Sequence, residues 1–200
     1  NKHQSGLMNK FGSGPSVKPL TEIEGLPVSR LAEEFGSPLF VISERQLREN
    51  QKNAYRIFKT RYPKVQFAWS YKTNYLDAVC SIFHSEGSWA EVVSEFEYDK
   101  AKRLGIKGSN IIFNGPDKRK ESLIKAINDS AKIHVDHFDE LYEIIDICNS
   151  ENLTASIGIR VNMDVGIYPM WDRFGFNYEN GEAWQAIKRI ISEKKLKLTG

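Results

Sequence analysis

From Pro38 onward, short runs of apolar and β-branched residues alternate with longer stretches whose apolar positions recur at helical spacing. This is the alternation of successive βα units around a parallel sheet. Residues 38–42 read as a strand. Ser43, with Gln46 three residues on, reads as a capping box opening a helix through Leu47, Ala54, Ile57 and Phe58 that stops before Pro63. A strand over 65–71 follows, then a helix through Leu76, Val79, Cys80, Ile82 and Phe83 that ends near Gly87. The same pair recurs as strand 89–93 with helix 95–104, closed by Gly105. Strand 110–113 leads through the turn Asn114-Gly115-Pro116-Asp117, with Asp117 as cap, into helix 119–127. Strand 132–135 leads through Asp136, again read as a cap, into a helix that buries Leu141, Ile144, Ile145 and Cys148. Strand 154–161, a long loop over 162–176, a helix over 182–192 and a strand beginning at 195–199 complete the pattern.

The strands recur about every 22 residues, which suits either a barrel or a doubly wound sheet. No Gly-x-Gly-x-x-Gly follows the first strand, so the dinucleotide-binding version lacks its phosphate turn. The pattern predicts an α/β chain forming a (β/α)8 TIM-type barrel, incomplete at about five to six βα units, since a full barrel takes about 250 residues. An unfinished barrel leaves strand edges unpaired and apolar surface open. The polypeptide is therefore expected to continue past Gly200, with 1–36 as a flexible tail and lead-in and 37–200 as the partial barrel.

Composition narrows the class. The 200 residues are 40% hydrophobic and 27% charged, with 28 Lys plus Arg against 26 Asp plus Glu for a formal charge of +2. That balance predicts no electrostatic grip on nucleic acid or anionic lipid, and no apolar run approaches the length of a membrane span. Cys80 and Cys148 show no CxxC spacing and read as reduced core thiols. Residues 1–17 lack the apolar stretch of a secretory signal and read as a floppy tail. A cytoplasmic location is the expectation.

The most informative chemistry lies in Phe67-Ala68-Trp69-Ser70-Tyr71-Lys72-Thr73-Asn74. Alternation along a strand puts Phe67, Trp69 and Tyr71 on one face, to pack under helices, and Ala68, Ser70 and Lys72 on the other. Barrel enzymes carry their chemistry at the C-terminal ends of strands. A lysine there either faces the mouth, partly desolvated and ready for imine formation, or snorkels to the surface.

This stretch resembles the Tyr-Ala-Val-Lys-Ala-Asn segment of fold-type III pyridoxal-phosphate enzymes, the group of alanine racemase and the ornithine, arginine and diaminopimelate decarboxylases. Other segments resemble the decarboxylase branch in order. Ser37-Pro38-Leu39-Phe40-Val41 is similar to its opening strand and Gly87-Ser88-Trp89-Ala90-Glu91-Val92-Val93-Ser94 to its second barrel strand. Ile111-Ile112-Phe113-Asn114-Gly115-Pro116-Asp117-Lys118 is similar to the third, Val135-Asp136 with Glu140-Leu141 to the fourth unit, and Arg160-Val161-Asn162 with Arg173-Phe174-Gly175 to the fifth. The resemblance implies an alanine-racemase-like N-terminal barrel, with the remaining strands and a C-terminal β-domain beyond Gly200.

It further implies pyridoxal 5'-phosphate as cofactor, held as a Schiff base on Lys72. Glu91 matches an acidic position near the ring and Arg160 an arginine beside the ring hydroxyl, with Ser70 and Asn114 also at the cofactor. On the strand around Arg160, Gly158, Arg160 and Asn162 share the inward face, Gly158 clearing space beside the arginine. A buried arginine keeps its charge and needs an acidic or oxyanion partner, here expected in Glu91 or the cofactor.

The implied activity is decarboxylation of a basic or diamino acid, or a derivative of one, by a homodimer. The alternatives are an amino-acid racemase on the same fold and a non-catalytic carrier or regulator. Lys72 is followed by Thr73-Asn74-Tyr75 and not by the Gly-His-Gly run of the racemases, which favours decarboxylation. Ser70 and Thr73 replace the usual alanines, and Trp171-Asp172-Arg173 departs from the family pattern before Phe-Gly. The ring-stacking histidine, phosphate loop and partner-subunit cysteine of the family would lie past Gly200, so this segment alone is expected to be inactive. Elsewhere, His134-Val135-Asp136-His137 lacks a further ligand at metal-binding spacing, His84 reads as a surface or satisfied histidine, and Lys194, Lys195 and Lys197 read as a solvated turn.

Overall fold

The computed structural model describes residues 20–166 and 173–200, so the 1–17 tail and the Trp171-Asp172 pair lie outside the described residues. The chain falls into two compact units, one up to Gln46 and the other Leu47–Gly200. In the first, β1 (Glu22–Ile23) and β2 (Leu26–Pro27) pair antiparallel. Helix α1 (Val28–Phe35) follows, with Leu31 as its buried residue. Residues 38–42, expected as a strand, have no ladder partner among the described residues, and Phe40 is fully exposed. β-Branched composition favours an extended chain, but only a neighbouring strand makes a ladder of it. Helix α2 (Glu44–Arg61) opens as expected, with the Ser43 hydroxyl accepting the Gln46 N–H at 3.0 Å.

The second unit is built from βα repeats. In chain order these are β3 (Ala68–Ser70), α3 (Asp77–Ser85), β4 (Trp89–Val92), α4 (Glu95–Arg103), β5 (Ile111–Phe113) and α5 (Lys120–Asn128). They continue as β6 (Lys132–Val135), α6 (Phe138–Ser150), β7 (Ala155–Ile159), β8 (Val161–Asn162), β9 (Phe176–Asn177), α7 (Glu182–Ser192) and β10 (Leu196–Leu198). β3, β4, β5, β6, β7 and β10 form one parallel sheet, each beside its predecessor in the sequence. A doubly wound sheet reverses its order at a switch point. This one advances in a single direction, as the wall of a (β/α)8 barrel does.

The two faces of the sheet differ. Ala90, Val92, Ile111, Phe113, Ile133, Val135 and Ile157 are buried beneath helices that contribute Cys80, Ala101, Leu123, Ile144, Cys148 and Ile190. Both cysteines are free thiols in this core. The alternate residues, among them Ser70, Glu91, Asn114, His134 and Arg160, are half-buried on the other face. All the chemistry expected from the sequence falls on that second face.

Several local expectations change. The strand read over 154–161 breaks at Arg160, whose N–H still bonds Val135 but whose carbonyl accepts the Phe176 N–H at 2.8 Å. The chain there leaves the main sheet for the separate β8–β9 pair. His137, not Asp136, caps α6, its ring nitrogen accepting the Glu140 N–H. Helix α5 starts after Arg119 with no side-chain cap, so Asp117 does not serve as one. Lys195 is not simply solvated: its ammonium donates to the Cys148 carbonyl at 3.0 Å, near the C-terminus of α6, where a cation complements the helix dipole.

Candidate functional site

The end of β3 shows how sequence alternation aims a side chain. Trp69 stacks on Phe83 of α3 at 3.7 Å between ring centroids, and its indole N–H donates to the Asn74 carbonyl at 2.9 Å. Tyr71 is wholly buried, its hydroxyl bonded to His84 of the same helix at 2.8 Å. With the odd positions anchored under α3, Lys72 emerges on the opposite face. There Lys72, Glu91, Val93, Asn114, Pro116, Arg160 and Phe174 line one cavity of about 260 Å³ at the C-terminal edge of the sheet.

Polar contacts set the lining. Asn114 donates from Nδ2 to Glu91 at 3.1 Å. Arg160 donates from Nη1 to Asp136 at 3.3 Å and lies 4.5 Å over the Phe174 ring. Asn162 fixes that ring's segment by donating to the carbonyls of Phe174 and Gly175, both at 2.9 Å. Gly115 holds β4 and β5 together beyond their ladder, since a Cβ built there would lie 2.1 Å from the Val93 carbonyl oxygen.

A charged layer lies behind the cavity. Lys118 and Glu140 form a wholly buried ion pair at 2.5 Å, and the Lys118 ammonium also donates to the Gly115 carbonyl. Desolvation lowers the Lys118 pKa and raises that of Glu140, while their mutual attraction opposes both shifts. The second oxygen of Glu140 accepts the Asp136 N–H at 2.8 Å. The end of β4 uses the same device: Ser94 caps α4 and Glu97 reaches back to the Val93 N–H at 2.8 Å. Burial pushes the Glu97 carboxyl up.

Of the residues singled out by sequence, the structure brings Lys72, Glu91, Asn114 and Arg160 around one cavity, whereas Ser70 is half-buried on the same face but outside the lining. Lys72 is exposed, not partly desolvated. The partner of Arg160 is Asp136, not Glu91. Gly158 clears space for the His134 ring of the adjacent strand and not for Arg160: a Cβ there would meet His134 Cδ2 at 2.7 Å. Sequence reading missed Asp136, Lys118, Glu140 and Phe174 as parts of the site. Asp136 carried two signals, its place in the Val135-Asp136 segment that resembles the family and its even register with His134 on the cavity face, but its reading as a helix cap masked both. Among the described residues, no three His, Cys, Asp or Glu side chains group as metal ligands, and no helix is long and apolar enough to cross a membrane.

Comparison with known proteins places this geometry. Residues 47–200 match the family model described as pyridoxal-dependent decarboxylase, pyridoxal binding domain. The chain is 31% identical to the diaminopimelate decarboxylase of Methanocaldococcus jannaschii over 191 residues, 89% of this chain and 44% of the relative. It is 35% identical to that of Methanothermobacter thermautotrophicus over 144 residues, 72% of this chain and 33% of the relative. The crystal structure of the M. jannaschii enzyme in co-complex with L-lysine superposes with a TM-score of 0.82 at 30% identity, covering 90% of this chain and 44% of that one. The chain thus spans less than half the length of the relatives it matches. With most of its residues inside the family model and its sheet laid over a solved member, the chain belongs to the pyridoxal-dependent decarboxylases, as part of their pyridoxal-binding barrel.

Proposed function

We propose that this chain is the cofactor-binding part of a pyridoxal-phosphate-dependent decarboxylase acting on a basic or diamino acid or a derivative. Diaminopimelate is the first candidate, from the names of its relatives. The observation that carries the reading is convergence: one primary amine, one carboxylate, one carboxamide and one guanidinium, from different strand ends, meet around a single cavity.

The lining fits the cofactor's chemistry. A flat ring bearing an aldehyde, a hydroxyl and a phosphate needs an amine to condense with, a cation for the hydroxyl oxygen and apolar surface for the ring. Lys72, Arg160 and the group Val93, Pro116 and Phe174 offer these in turn. When bound, the cofactor supplies an electron sink for the charge left when a bond at the amino acid's α-carbon breaks. Lys72 would hold the ring covalently, and Arg160 presents a fixed positive charge. Glu91 is an acceptor oriented by the Asn114 amide. The apolar side of the cavity keeps water from one flank of the reacting group. Ser70, expected at the cofactor, closes β3 two residues before Lys72, and its carbonyl accepts the Thr73 N–H at 3.1 Å.

The remaining barrel strands, the phosphate loop and a C-terminal β-domain belong, on this reading, to the polypeptide past Gly200. So does a homodimer whose interface completes the site. A cytoplasmic location is supported by the two free, buried thiols. The relatives' names favour decarboxylation over racemisation or a silent carrier. Borohydride reduction of the full-length protein with its cofactor tests the assignment: a phosphopyridoxyl group is expected on Lys72, and the same adduct on another lysine, or none, sinks it. Release of carbon dioxide from diaminopimelate tests the activity separately.

A further inference from the structure

We propose that Asp136 is a positioning residue for Arg160, fixing the direction and the effective charge of the guanidinium that faces the cofactor. The proposal rests on the reading of the cavity as the cofactor site. Arg160 stands where β7 ends and the chain turns toward β8, and an arginine side chain carries about 2 kcal/mol of rotamer entropy. A cation useful at one atom of a ligand must be held.

Two contacts hold it. The Asp136 carboxylate takes Nη1 at 3.3 Å, and the Phe174 ring lies under the guanidinium at 4.5 Å. Asp136 does not line the cavity, so it acts through Arg160 and not on a ligand. The two side chains differ in access, with 8% of the Asp136 side chain exposed against 37% for Arg160. One end of the pair is anchored in the protein and the other is open to the cavity.

The anchor is itself fixed. The Asp136 N–H is bonded to Glu140, and Glu140 is paired with Lys118, at 3% and 0% side-chain exposure. Lys118, Glu140, Asp136 and Arg160 thus form a charge-balanced set of two cations and two anions, with only Arg160 reaching the cavity. Because Nη1 is committed to Asp136 and one face to Phe174, the guanidinium offers its remaining edge. That edge keeps Nε and Nη2 as donors for an anionic oxygen of a ligand.

The test uses the full-length protein with pyridoxal phosphate. Asp136→Asn keeps the shape and removes the charge. It is expected to weaken the apparent cofactor affinity about tenfold, about 1.4 kcal/mol, and to move the pH midpoint of the bound cofactor's absorbance change, a midpoint that a purely structural defect leaves in place. In an Arg160→Gln background the same substitution should add nothing further. Wild-type affinity and midpoint in Asp136→Asn, or an undiminished effect without Arg160, overturns the proposal. If Asp136→Asn does not fold, Asp136→Glu, which keeps the charge but displaces it by a methylene, should lower affinity in the same Arg160-dependent way, and unchanged affinity counts against the proposal. Lys72→Ala, run in parallel, separates the two levels. If it leaves the absorbance band and affinity untouched, the cofactor reading fails; if it abolishes the band while Asp136→Asn is silent, only the role of Asp136 fails.

Discussion

Two hydrogen bonds set the protonation of His84. Its Nδ1 faces the Ser88 carbonyl at 2.8 Å, which can only accept, so Nδ1 carries the proton and Nε2 accepts from the Tyr71 hydroxyl at 2.8 Å. Burial pushes the imidazole pKa below its ordinary 6.5, against the pull of the Ser88 carbonyl, and His134 shifts the same way. As pH falls through about 6.5 the unfolded chain takes up protons that the folded one refuses, so stability declines on acidification. Thermal unfolding of the full-length protein should shift down between about pH 7 and pH 5. His84→Gln should cost about 1 kcal/mol at neutral pH and flatten that slope, and an unchanged slope would remove His84 from the account. At this scale alternation was informative: Tyr71 under the helix and Lys72 on the other face were both readable from one strand. The exposure of Lys72 was not, because it depends on what surrounds the strand end.

Elements meet through single residues. β6 and β7 are in register with His134 opposite Gly158, so the imidazole lies where a side chain at 158 would be. Gly158→Ala should cost about 1–3 kcal/mol by overpacking, and His134→Ala in the same chain should restore a large part of it. Full additivity of the two losses would show that they do not share that space. The sequence marked Gly158 as inward-facing but assigned its space to the wrong neighbour, since the register between two strands is written in neither. The caps of α4 and α6 carry the same lesson. Ser94 with Glu97 matches a capping-box spacing, whereas His137 is a rare cap residue and the adjacent Asp136 a common one.

Across the whole second unit, successive βα repeats are joined by more than their ladders. Lys118 follows β5 and Glu140 belongs to α6, so their buried pair ties two neighbouring repeats. Removing one partner leaves an uncompensated charge: Lys118→Met should cost about 3–5 kcal/mol, while Lys118→Met with Glu140→Gln should recover most of it. Denaturant unfolding of the full-length protein would read both, and a double variant no better than the single would refute the pairing as the cause. The sequence by itself determined the order and type of most elements from Ser43 on, the core faces of β3, α3 and α6, and the family, but not that Ile57 and Phe58 of α2 stay exposed. Period, capping residues and short motifs act within one segment and survive without its neighbours. Tertiary structure alone decided that residues 38–42 carry no ladder, that Arg160 answers to Asp136, and that the Lys118–Glu140 pair backs them both. Those contacts join residues 22 or 24 apart in sequence, through a register and a depth of burial that exist only once the strands lie side by side.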